Sequence, residues 1–496
     1  MCRACLALGH CYGYHRCELG LHGECRLSVK SIRKLALVLG PALALAILFL
    51  PTPAGLTDQG QRGLSVLALC VVWWLLTPVA LPVTSMLGMA LLALLGVFTP
   101  EEAMALFGNQ AVFFVVGVFV MAAAMLQTGL STRLALWTMR RMARTENSLA
   151  GAVLFLSTVL CFFVVSHAVA ALMLPIVLGL IRALDLGPGS RTARRLMLSM
   201  AWGTIIGSNL TLLASARASL ALQVYGTHAA VQGDALQPIG FLEFTQATIL
   251  ICVILLALAW IVLRIALAPE GIAMEPALAR LNQRVSDLGA MSAAEWKTIL
   301  VLVLMVPTLV WLGPEYGLGT VTLVFASALF ALGVLQWEAA EAYVNWGIVL
   351  LYGGAIAIGA GLAQSGAMGW VAGFLLPPPG THPALSLALI VLLGLVCSSF
   401  VANAAVIALL LPVLLIAAPT IGLESRALAV VLSIATGVAF SLPVSTPALA
   451  MAWGTGYVRN RDGLVYGVLL SLLSIPVVVI VAVFFWPLLG LDPILH

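Results

Sequence analysis

Apolar runs of the length that crosses a hydrocarbon core, about 17–25 residues, recur from Leu35 almost to the C-terminus. They predict helical spans over residues 35–50, 63–79, 83–98 and 109–127, then two short arms over 148–164 and 168–184. An interrupted span follows at 197–222 and a further span at 246–267. After a polar stretch, the pattern returns with spans at 298–313, 318–336 and 345–362, arms at 383–397 and 402–417, an interrupted span at 427–450 and a last span at 464–487. A transmembrane β-barrel would alternate apolar and polar positions; continuous runs such as Leu409-Leu410-Leu411 do not. The chain therefore reads as an all-α polytopic membrane protein.

Two halves of this pattern echo each other. Pro175 and Pro412 close their arms 237 positions apart, and Gln127-Thr128-Gly129 matches Gln364-Ser365-Gly366 at the same offset. The positive-inside rule then sets the topology. Lys30, Arg33 and Lys34 put the N-terminus in the cytoplasm, and Arg133, Arg140, Arg141 and Arg144 mark a cytoplasmic surface helix. Basic residues flank both ends of the first arm pair, so it is predicted to enter and leave on one side as a re-entrant hairpin, although two full spans would fit its length. The expected count is eleven crossings and two hairpins in inverted repeats, with the C-terminus outside. The expected organisation is a disordered tail 1–34, a first helix 35–50, repeats over 60–267 and 297–491, and a cytoplasmic linker 268–296.

Composition narrows the class further. Of 496 residues, 62% are hydrophobic and 8% charged, against about 25% charged in soluble proteins. The net charge of +4 is carried by loop residues, which is topology and not a nucleic-acid surface. Five of the nine cysteines (Cys2, Cys5, Cys11, Cys17 and Cys25) lie in the first 25 residues among His10, His15 and His22. Only one Cys-x2-Cys pair is present, so a disordered cytoplasmic tail is expected over a metal site or a disulfide cluster.

The candidate chemistry sits where polar residues interrupt the apolar runs. Ser166-His167 and Ala402-Asn403-Ala404 fall at the two arm turns; Gly207-Ser208-Asn209-Leu210-Thr211 and Ser441-Leu442-Pro443-Val444-Ser445-Thr446-Pro447 fall in the interrupted spans. Unwound backbone at membrane depth is tolerated where it lines a cavity or binds an ion. Helix N-termini at such breaks favour an anion, and carbonyls at the opposite ends suit Na+. Expected substrate ligands are Ser166, His167, Ser208, Asn209, Arg217, Asn403, Ser445 and Thr446. Expected ion ligands are Ser166, Gly207, Asn209, Ala402, Asn403 and Thr446. The bland reading of the small residues is close helix packing; that of His167 is a neutral cross-link, and that of Arg217 is snorkelling.

The chain from about Gly60 to Pro493 resembles the divalent anion/sodium symporter family of dicarboxylate, citrate and sulfate transporters. The resemblance rests on Phe113 to Gly129, Trp346 to Gly354, Ala404 to Pro412, and Leu442 to Gly454 followed by Arg461-Asp462-Gly463. It implies a homodimer in the lipid bilayer, with a scaffold and an elevator-type transport domain, and a small anionic solute held between hairpin tips and broken helices. The family's Ser-Asn-Thr tip pattern falls on Val165-Ser166-His167 and Ala402-Asn403-Ala404, where only Asn403 keeps its residue. Its Thr-Pro-Pro-Asn ending falls on Ser215-Ala216-Arg217-Ala218 and Thr446-Pro447-Ala448-Leu449. The expected function is secondary active transport of a dicarboxylate- or sulfate-like anion coupled to Na+ or H+, with no catalytic residues and no cofactor beyond Na+. Alternatives are a cation/proton antiporter or metalloid-anion exporter of the same superfamily, or, in another class, a membrane enzyme or structural protein.

Overall fold

A computed structural model describes residues 22–142, 144–232, 238–367, 370, 382–443 and 445–495, with the backbone alone over 22–32 and 231–232. Cys2, Cys5, Cys11, Cys17, His10, His15 and Val444 lie outside the described residues. Among the described residues, eight helices are long and apolar enough to cross a membrane, and four shorter apolar helices accompany them. The protein is an all-α polytopic membrane protein.

The first half comprises α1 (His22–Phe49), α2 (Asp58–Leu76), α3 (Leu81–Leu94), α4 (Gln110–Gln127), α5 (Leu130–Met142), α6 (Glu146–Leu160), α7 (Ser166–Ala183), α8 (Arg191–Gly207), α9 (Ala216–Gln232) and α10 (Phe241–Ala266). A connecting helix, α11 (Glu275–Asp287), leads to α12 (Ala293–Trp311), α13 (Leu318–Ala331) and α14 (Trp346–Gln364). The chain ends with α15 (Pro383–Phe400), α16 (Asn403–Ala417), α17 (Ser425–Ala435), α18 (Pro447–Gly454) and α19 (Val468–Phe484). The first helix starts ahead of the expected residue 35. Connecting helix α11 falls inside the stretch expected as a plain linker; it is strongly polar and buries only Ala277 and Leu281.

Local chemistry explains the element ends. Thr128 caps α4 and Ser365 caps α14, and each is followed by a glycine in left-handed conformation, Gly129 at φ +79° and Gly366 at φ +73°. A side chain is disfavoured there, so the matched Gln-Thr-Gly and Gln-Ser-Gly triplets are helix-stop signals. Helix α18 opens with Pro447 at its first position behind the N-cap Thr446, the position where proline costs no hydrogen bond.

The helices form two groups. In one, α1 packs on α2, α3 on α14, and α4 on α13. In the other, α6 packs on α8, α10 on α19, and α15 on α17 and α19. Between the groups, α9 packs against α4 and α14, and α16 packs against α14. Within the second group the halves are crossed over: α7 packs on α18, and α16 packs on α9 and α17.

Two ion pairs share this crossed pattern. Arg194, in the first turn of α8, meets Asp462, just ahead of α19, at 2.8 Å with both side chains 8% exposed. Arg426, in the first turn of α17, pairs with Glu243 in the first turn of α10. The two pairs lie at opposite ends of the molecule, because α10 carries Glu243 at one end and is about 39 Å long at 1.5 Å per residue. The end of α10 beyond Leu263 meets the start of α8, where Arg195 donates to the Leu267 carbonyl at 3.2 Å.

That end is also tied by carboxylates. Glu146 accepts from Thr192 Oγ1 at 2.6 Å and from the amides of Glu270 and Ile272. Glu270 accepts from Ser190 Oγ and from the amides of Arg191 and Thr192. Burial opposes ionisation of Glu270, but these bonds outweigh it and bring its carboxyl down to about 2. Arg133 joins α5 to the same region through Glu295 and the carbonyls of Leu288, Gly289 and Ala290.

Candidate functional site

The sequence expects one interrupted span at 197–222. In the structure α8 stops at Gly207 and α9 restarts at Ala216. The cause is local. Ser208 Oγ turns back onto the Ile205 carbonyl at 2.6 Å and Asn209 Nδ2 does the same at 3.0 Å, so side chains compete with the helical ladder. The second break opens at Thr436 and Gly437, just ahead of the expected polar run; Thr436 Oγ1 bonds the Ser433 carbonyl at 3.0 Å.

Each break is served by a hydroxyl from the last helix of its own half. Thr248 on α10 donates to the Leu210 carbonyl at 3.0 Å. Ser471 on α19 donates to Val438 O at 3.2 Å and accepts from the Phe440 amide at 3.0 Å. An unmade hydrogen bond at a buried polar group costs about 1–3 kcal/mol, which accounts for hydroxyls at these positions. Sequence reading missed Thr248, Ser471, Ser433 and Gly437, since single small residues inside apolar runs carry no local signal of a distant partner.

The two breaks touch. Asn209 Nδ2 reaches across to the Gly437 carbonyl at 3.0 Å. Arg217, in the first turn of α9, is 5% exposed; its Nε donates to the Ser433 carbonyl of α17 at 3.1 Å. Its Nη2 donates to Asn209 Oδ1 at 2.6 Å and to Ser208 O and Oγ at 3.2 and 3.1 Å, and its Nη1 to Ser215 Oγ at 2.9 Å. Ser208, Asn209 and Arg217 are therefore brought together, and their polar atoms are directed at protein partners. A side chain at Gly437 would run into Arg217 and Asn209.

The turn between α6 and α7 docks at the first break. The Ser166 amide donates to Ala214 O at 3.0 Å, and Thr211 Oγ1 donates to Phe162 O at 3.2 Å. Cys161, Val164 and Val165 of the turn are buried. Helices α7 and α16 begin alike: N-caps Val165 at φ −56°, ψ 134° and Ala402 at φ −58°, ψ 130°, neither with a side-chain cap. Apolar residues are poor N-caps, so both helices present amides and the positive end of the dipole without a side-chain acceptor.

The remaining expected residues divide. His167 is half-buried, its ring tilted against Phe119 at 5.6 Å between centroids, with no hydrogen bond among the described residues. Asn403 presents an Oδ1 that is buried with no partner among the described residues. By contrast Ser445 Oγ is spent on Leu442 O at 2.7 Å and Ala439 O at 3.2 Å, and Thr446 caps α18 through the Leu449 amide. Gly207 packs on the end of α6: a Cβ there would lie 2.6 Å from Thr158 O and 2.7 Å from Cys161 Cβ. Its smallness serves helix contact.

Polar breaks, uncapped helix starts and crossed packing define a secondary transporter in class, and the comparisons agree. The sodium:sulfate symporter transmembrane region family matches residues 30–491, and the chain belongs to this family. The sodium-dependent dicarboxylate transporter SdcS of Staphylococcus saprophyticus is 27% identical over 486 residues, with 92% of each chain covered. SdcS of Staphylococcus aureus strain USA300 is 25% identical over 488 residues, again with 92% of each covered. Among solved structures, MtrF of Neisseria gonorrhoeae shares the fold at a TM-score of 0.51 and 15% identity, covering 91% of this chain and 93% of that one.

Proposed function

We propose that the chain carries a small dianion, of the dicarboxylate class named for its staphylococcal relatives, by Na+-coupled alternating access across the cell membrane. The observation that carries this reading is the pair of uncapped starts of α7 and α16 at Val165 and Ala402. Two helix N-termini, neither with a side-chain acceptor at its cap, offer partial positive charge to an anion with two charged ends. Ser166 and His167 at one start and Asn403 at the other add side-chain contacts.

The architecture behind this is eleven crossings with two re-entrant hairpins in inverted repeats. The crossed packing, the paired hydroxyls Thr248 and Ser471, and the ion pairs at opposite ends support it. The first hairpin turn docks beside the α8–α9 break, part-way along a helix pair that crosses once, which supports a turn at mid-depth. The group containing α6–α10 and α15–α19 moves as the transport unit, the group containing α1–α4 and α12–α14 is the scaffold, and two copies assemble through scaffolds. The linker end, rich in arginine, faces the cytoplasm with the N-terminus, and the C-terminus lies outside. Na+ entering near Asn403 adds positive potential beside the anion, so that binding of one raises the affinity for the other.

The test is uptake of labelled succinate into proteoliposomes under an inward Na+ gradient, against the same gradient of K+, with unlabelled sulfate as competitor. Uptake dependent on Na+ is expected. Equal uptake in both salts, or no succinate uptake in either, would overturn the proposal.

A further inference from the structure

We infer that the Arg217 guanidinium is a tethered cation: it fills the oxygen cage between the two breaks, so that no free Na+ binds there and Na+ coupling runs through the half that carries Asn403. The inference rests on the transport reading above and deepens it.

The cage is made of five oxygens: the carbonyls of Ser208 and Ser433, the hydroxyls of Ser208 and Ser215, and Asn209 Oδ1, at 2.6 to 3.2 Å from guanidinium nitrogens. All are neutral. Among the described residues no carboxylate forms an ion pair with Arg217, whereas Arg194, Arg195, Arg133 and Arg426 each have one. Its charge is balanced instead by neutral oxygens at the C-terminal ends of α8 and α17, where the helix dipole is negative. Neutral oxygens at the ends of broken helices are the donor set that a transporter offers to Na+. Arg217 itself lies in the first turn of α9, where a cation is disfavoured by that helix, yet its head reaches back to the ends of two others.

The other half lacks such a cation. At the position matching Arg217, α18 carries Ala448, and the polar atom left over is Asn403 Oδ1, buried and unpartnered. An oxygen aimed at nothing in one half, and a cage filled by the protein's own charge in the other, are two different states of one design. A fixed cation leaves no ion to bind or release on that side, while still adding positive potential for the anion.

The test uses the full chain in proteoliposomes. Arg217→Asn vacates the cage and adds an oxygen to it. The Na+ dependence of succinate uptake is expected to steepen, with the Hill coefficient rising by about one, while Arg217→Lys keeps the wild-type steepness. A folded Arg217→Asn protein with unchanged Na+ steepness would overturn the inference; so would a raised KM for succinate with no change in Na+ response, which would make Arg217 a substrate ligand. A second readout is independent of how the asparagine variant folds: crystals of the wild-type protein are soaked with Tl+ and the anomalous density is examined. A peak beside Asn403 and none among the Ser208, Asn209 and Ser433 oxygens is expected, and a peak in that cage would overturn the inference. If wild type itself shows no Na+-driven uptake, the transport reading falls first; if it does and the cage binds Tl+, only the tether falls.

Discussion

Asn209 ties the two breaks together, and removing it gives the sharpest test of how they are held. Asn209→Ala deletes three bonds: Oδ1 with Arg217 at 2.6 Å, and Nδ2 with Ile205 O and Gly437 O at 3.0 Å each. The bond to the guanidinium is charge-assisted and worth about 1.5–3 kcal/mol, and each of the others about 1 kcal/mol. Arg217 Nη2 keeps Ser208 O and Oγ as acceptors, so the guanidinium is not orphaned. The three bonds sum to about 3.5–5 kcal/mol, and the acceptors that Arg217 keeps return about 1–1.5 kcal/mol of it, so the net loss is about 2–4 kcal/mol. At roughly 2 °C per kcal/mol for a large protein, thermal unfolding in detergent falls by about 4–8 °C at a fixed scan rate. Arg217→Ala and the double variant complete a cycle. Its coupling energy, about 1.5–3 kcal/mol, isolates the Asn209–Arg217 bond. Additivity within about 0.5 kcal/mol would refute the view that the pair acts as one unit.

Three more expectations follow from the same geometry. Asp462→Asn leaves Arg194 buried and unpaired, at a cost of about 3–5 kcal/mol, and an Arg194→Met/Asp462→Leu protein should recover most of that stability in the same melting assay. Glu270 has a folded pKa of about 2 against an ordinary 4.5, so its contribution to stability is full above about pH 4.5 and is lost as pH falls toward 2; Glu270→Gln should show a smaller drop in melting temperature over that window than wild type, and an equal drop would count against the carboxylate clamp. Asn403→Ala should raise the Na+ concentration for half-maximal uptake about tenfold, the equivalent of about 1.4 kcal/mol, and an unchanged Na+ titration would remove Asn403 from the ion site.

Much of this fold was legible because hydrocarbon forces simple patterns. The spans, the arms, Pro175 with Pro412 and the glycine stops at Gly129 and Gly366 all follow from local rules. The polar breaks were visible for the same reason: Ser208 and Asn209 stand out in an apolar run. What they bind was not visible. Ser445 and Thr446 read like ligands, but one is spent on its own turn and the other caps α18. Gly207 read like an ion ligand and packs on Thr158 and Cys161. Arg194 and Arg195 read as loop charges marking a membrane face, yet both are buried in α8, held by Asp462 and Glu146. Those pairings join residues 268 and 49 positions apart, and no local pattern encodes them.

The ion pair between Arg194 and Asp462 also imposes an order on the making of the protein. The two residues are 268 positions apart, and synthesis proceeds at about 5–20 residues per second. For roughly 13 to 54 s after Arg194 leaves the ribosome, the carboxylate that neutralises it does not yet exist. Helix α8 therefore waits at the membrane with an unmatched cation in its first turn, and the first half cannot reach its final packing during its own translation. The nascent chain needs either water or a helper protein around that arginine until the last helix is delivered, and a truncation that ends before Asp462 should be cleared by quality control even though α1–α10 are complete.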